Sequence, residues 1–144
     1  MTFPRCFFLA SNVILVVFFG CGSGRPYDTV SVSGEISYED GSRIPASQIT
    51  LIFIPQVAPL DAKTHPRPAV AEVDVNDGTF SELTTWEFGD GAIPGKHKIQ
   101  VHAYDELDEP SPSVPPVYGS PSTTPLEVEI RHKTTDLKLT IKKP

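Results

Sequence analysis

The chain has 144 residues, with 12 Lys and Arg against 18 Asp and Glu and a formal net charge of −6. That length holds one domain, or one domain and a short appendage. An acidic chain with no basic block lacks the clustered cations that phosphate contacts need, which argues against a nucleic-acid partner. The 15 prolines argue against a helical bundle, the 39% of hydrophobic residues against disorder, and the 2 cysteines exclude a disulfide-rich scaffold.

Residues 1–20 read as an export signal. Arg5 supplies a positive start, and Phe7 to Phe19 is apolar apart from Ser11 and Asn12. As a helix this stretch spans roughly 20 Å, at about 1.5 Å per residue, which is short for a hydrocarbon core about 30 Å thick. Small residues follow, as they do after a signal peptide. Gly20-Cys21 resembles the lipobox of bacterial lipoproteins, where a small residue precedes a cysteine that is acylated and becomes the new N-terminus. Phe18 and Phe19 stand where that family has leucine and a smaller residue. The resemblance implies lipid attachment at Cys21 and a membrane partner through that anchor, at the bacterial cell envelope. Simple secretion and an uncleaved anchor are the alternatives. Cleavage before Cys21 also removes Cys6, so no disulfide can form within the mature chain. Residues 21–29 are expected to be a flexible tether, and residues 30–144 a folded domain.

From Val30 the pattern has period two. Val30, Val32, Gly34, Ile36 and Tyr38 share one face against Ser31, Ser33, Glu35, Ser37 and Glu39, which predicts a half-buried strand. Asp40-Gly41 turns the chain. Gln48 to Ile54 is apolar on both faces and predicts a central strand ended by Pro55. Ala69 to Val75 alternates again. Asp77-Gly78 marks a hairpin into a return strand over Phe80 to Trp86, with Phe80, Trp86 and Phe88 expected inward. Lys96 to Tyr104 follows, with Ile99, Val101 and Ala103 inward. Two further alternating runs centre on Val128 and Leu139. Between them lies a proline-rich stretch, 105–125, expected to be an ordered crossing. The fold class predicted is all-β: seven antiparallel strands in a sandwich.

The order of short motifs resembles prealbumin-like domains, also described as transthyretin-like or carboxypeptidase-regulatory-like. Val32 to Tyr38 with Asp40-Gly41, then Ile52 to Pro55, match the opening. Asp77-Gly78-Thr79-Phe80 matches the hairpin signature, and Ile93-Pro94-Gly95-Lys96-His97-Lys98-Ile99 a later strand start, with His97 where the family often has tyrosine. Pro115 to Pro121 and Thr124 to Val128 look like a feature of small bacterial lipoproteins that carry this domain. The resemblance implies an Ig-like or prealbumin-like sandwich used for adhesion, spacing or accessory binding. It does not imply an activity.

No catalytic constellation stands out. Gly-x-Ser-x-Gly is absent, and the ending Thr140 to Pro144 departs from the Tyr-Arg-Gly-Ser ending of the one purine-degrading hydrolase relative. The chain is therefore expected not to be an enzyme, and no cofactor is expected. His65, His97, His102 and His132 lack close zinc-ligand spacing and are read as surface or partly buried side chains. Asp105, Glu106, Asp108 and Glu109 form an acidic loop that could supply calcium ligands but has no internal glycine to shape one. Trp86, Phe88, Tyr104 and Tyr118 are candidates for stacking on sugars, with Tyr104 the best placed. Asn76, the one asparagine after residue 20, lies in a turn, which disfavours a Lys–Asn crosslink. The expectation is a lipid-anchored envelope module with a binding, spacer or structural role and a protein or glycan partner. The alternative is a carbohydrate- or calcium-binding accessory module.

Overall fold

The computed structural model describes residues 24–144. The expected export signal, residues 1–20, and Cys21 lie outside the described residues. Seven strands follow in chain order: β1 (Val32–Tyr38), β2 (Gln48–Pro55), β3 (Ala69–Val73), β4 (Thr79–Phe80), β5 (Gly95–Tyr104), β6 (Glu127–Ile130) and β7 (Thr134–Ile141), with one 3₁₀ turn at Pro116–Gly119. The alternation of side chains produces this arrangement directly. On β2, Ile49, Leu51 and Phe53 point inward and are fully buried. On β5, Ile99, Val101 and Ala103 do the same. Phe53 meets Phe80 at 5.9 Å between ring centroids, which links β2 to β4 across the core.

All seven strands belong to one mixed sheet, in the order β6-β5-β2-β3-β4-β1-β7. β6 and β7 are the outermost strands, yet only Arg131-His132-Lys133 separates them. Four residue steps span at most about 14 Å. The sheet is therefore rolled until its two edges approach each other, nearly a barrel, and the inward residues of all seven strands share one core.

The expected antiparallel sandwich is not what forms: the strands join one rolled sheet, and one pair within it is parallel. β1 and β7 run parallel, from Val32–Thr134 to Tyr38–Ile141. The cause is the path of the chain: β6 runs antiparallel to β5 and ends opposite Gly95, at the end of the molecule where β1 begins. β7 must start there and run the same way as β1. Gly34 makes the pair possible, because a Cβ at that position would overlap the Leu137 carbonyl oxygen.

The expected return strand over Phe80 to Trp86 is a second difference. β4 has two residues. Glu82 then takes φ 54°, a left-handed conformation that shifts the alternation by one. Leu83 becomes the inward residue, Trp86 is half-buried, and Phe88 is 80% exposed, so neither aromatic joins the core. Thr84 closes back onto Val70 through two backbone hydrogen bonds of 2.9 and 3.0 Å. The Asp90 carboxylate then accepts backbone N–H bonds from Thr85, Trp86 and Glu87, which fixes the turn.

The stretch expected as a tether is docked along its described part. The Arg25 guanidinium pairs with Glu87 and lies 3.5 Å from Asp90. The Tyr27 ring stacks on Trp86 at 6.3 Å, and its hydroxyl accepts the Leu60 N–H at 3.0 Å. The chain is held against the domain from Arg25 onward.

Candidate functional site: a groove beside β5

The free edge of β5 positions a recess with mainly apolar walls. β6 covers that edge only from Gly95 to Lys98. Beyond it, the proline-rich crossing takes over. Ile99 N–H donates to the Leu126 carbonyl at 3.0 Å, and the Thr124 hydroxyl donates to the Ile99 carbonyl at 2.7 Å. Ser111 N–H donates to the Ala103 carbonyl at 2.9 Å. In an antiparallel ladder, alternate residues turn both backbone groups to the same side. Val101 lies between Ile99 and Ala103, so it presents its N–H and C=O to this edge as well. There the crossing stands away from the strand and leaves a groove of about 830 Å³.

His102 and Tyr104 lie on one side of this groove, and Pro112, Pro115 and Pro116 on the other. Prolines suit such a wall, since they hold an extended path without needing ladder partners. The crossing is fixed by buried contacts: the Tyr38 hydroxyl donates to the Ser113 carbonyl at 2.6 Å, and the Tyr118 hydroxyl accepts the Lys142 N–H at 2.9 Å. Val114 and Thr124 are buried too. The walls are mainly apolar, with an aromatic ring and an imidazole at one side. Such a surface can take the apolar face of a ring, and the strand edge can hydrogen-bond an extended backbone.

The other sequence candidates fall in separate places. His97 is buried on the inward face of β5, edge-on to Phe53 at 6.3 Å, with Nδ1 3.1 Å from the Gly95 carbonyl. This corrects the surface or partly buried reading. Burial pushes its pKa down, against a smaller raising effect of that hydrogen bond. His102 lies on the opposite face, while His65 and His132 are exposed in loops. Among the described residues, no group of three or more His, Cys, Asp or Glu side chains is placed to hold a metal ion. In the acidic loop, Asp105 Oδ1 accepts the N–H groups of Leu107 and Glu109 and shapes the loop itself. Tyr118 is buried rather than available for stacking, and Asn76 donates its side-chain amide to Asp74.

Hydrogen bonding also sets the charge on two turns. Lys143 and Ser42 hold the Asp40 carboxyl far below the usual carboxylate range, and Thr79 holds Asp77 low. These are exposed turn-stabilising groups. The sequence reading missed the Arg25 and Tyr27 docking and the open edge at Val101. No local pattern marks either, because both depend on partners more than 30 residues away or on the path of the crossing.

No family model matches the chain, and no curated protein or solved structure matches it either.

Proposed function

We propose that the protein is a lipid-anchored module of the bacterial cell envelope that works by binding or spacing rather than by catalysis. The observation that carries this reading is Gly20-Cys21, which closes a short apolar N-terminal stretch only a few residues before the domain begins. Acylation at Cys21 would place the domain at a membrane surface. Within the same reading the rolled sheet is prealbumin-like. The support is that Asp40-Gly41 and Asp77-Gly78 form tight turns with glycine φ of +80° and +77°, and that Gly95 opens β5 at φ +136°. These are positions where the family motifs need glycine. Cell fractionation tests the anchor: Cys21→Ser is expected to move the protein out of the membrane fraction, and undiminished retention would remove the proposal.

The groove beside β5 favours a second reading, a carbohydrate-binding accessory module, because Tyr104 stands at its wall with His102. The test is a glycan array run with the parent and with Tyr104→Ala. Binding that the variant loses supports this reading. A blank array with the parent removes it.

A further inference from the structure

Apart from the crossing over 116–126, which runs along β5, the strands sort the loops to two ends of the molecule. β1, β3, β5 and β7 start at the end where the chain enters the domain, and β2, β4 and β6 finish there. That proximal end holds segments 24–31, 56–68, 81–94 and 131–133. The distal end holds 39–47, 74–78, 105–115 and 142–144. We propose that the proximal end lies against a lipid surface, with Phe88 as the side chain that enters it. The proposal rests on the lipid-anchor reading of Cys21, and three independent observations orient the domain.

The first is reach. Arg25 is fixed to Glu87 and Asp90, and Tyr27 to Trp86 and Leu60. Only four residue steps separate Cys21 from Arg25, at most about 14 Å. A lipid on Cys21 would therefore hold the 86–91 turn, to which Arg25 is bound, close to the headgroups. A long tether would leave the orientation free, and this one does not.

The second is apolar exposure. Phe88 is 80% exposed on that turn, beside the 40% exposed Val70, and Leu60 is 61% exposed in the neighbouring loop. An exposed aromatic ring fits the headgroup boundary, where apolar area is removed from water. The third is charge. The proximal segments carry five Lys and Arg against five Asp and Glu, and the distal segments three against eight. An anionic lipid surface repels the distal end and tolerates the proximal one. Leu107, 79% exposed at the distal end, stands among four carboxylates and so makes a matched comparison for Phe88.

The test uses the full chain expressed in bacteria as Phe88→Cys or as Leu107→Cys. Removal of residues 1–20 and acylation of Cys21 leave the new thiol as the only one to label with an environment-sensitive fluorophore. After extraction, the intact mass establishes acylation, and the protein is placed in phosphatidylglycerol-containing vesicles with a nitroxide on the upper acyl chain. Quenching several-fold stronger at position 88 than at position 107 is expected. Equal quenching of the two acylated proteins overturns the orientation while leaving the anchor standing. An unacylated mass overturns the anchor, and this inference with it.

Discussion

Burial decides the charge state of His97. Its ring is enclosed by the core and makes one hydrogen bond, to the Gly95 carbonyl, so the neutral form is favoured and the pKa lies below its usual position. The unfolded chain takes up a proton near pH 6.5 that the folded chain refuses. Stability from this residue is thus complete above that pH and declines as pH falls through it toward the lower folded value. Urea unfolding between about pH 7 and pH 5 is expected to show this decline, and His97→Gln to flatten it. An unchanged slope in the variant would contradict the assignment. Gly34 is constrained by space instead. It lies at a register shift between β1 and β7, where any Cβ meets the Leu137 carbonyl. Gly34→Ala is expected to cost on the order of 1–3 kcal/mol, as overfilling a close contact does. A denaturation midpoint equal to that of the parent would show that the pair can separate freely.

Among the elements, the alternating strands were legible, the short β3 and β6 included, and the two-residue β4 was not. β1, β2 and β5 have seven to ten residues each. Their period-two pattern outlasts local exceptions; His97 shares parity with Ile99 and Val101, yet its polar ring reads from the sequence as lying at or near the surface. β4 fails this test because Glu82 takes a left-handed conformation that its residue type does not signal. One such residue moved Leu83 into the core and left Trp86 and Phe88 outside it. The parallel pairing of β1 with β7 was also illegible, since it depends on where β6 delivers the chain. Of the candidate groove, Tyr104 was singled out from its place at a strand end, but the open edge at Val101 needed the path of the crossing. That crossing is pinned by Tyr38, whose hydroxyl reaches a carbonyl 75 residues away. Tyr38→Phe leaves the Ser113 carbonyl buried without this donor, at a cost of about 1–3 kcal/mol. Limited proteolysis by a glutamate-specific protease is expected to cut faster after Glu106 in the variant. Equal cutting rates would mean that other contacts hold the crossing.

At the scale of the whole molecule, the first and last strands of the chain lie side by side in the sheet. β1 and β7 are about a hundred residues apart in sequence and pair along most of their length. Such long-range pairing fastens both ends of the domain and leaves the chain entering at one defined end. That end carries Arg25 and Tyr27 in fixed contacts with the 86–90 turn and Leu60. The groove beside β5, by contrast, opens on the flank of the sheet, and its acidic neighbours sit at the distal end. Whether Cys21 carries lipid therefore decides how the domain meets a membrane. The intact mass of the protein extracted in detergent from bacterial membranes measures this directly. A chain beginning at Cys21 and carrying acyl groups is the predicted result. An unmodified chain, whether it keeps residues 1–20 or begins elsewhere, would contradict it.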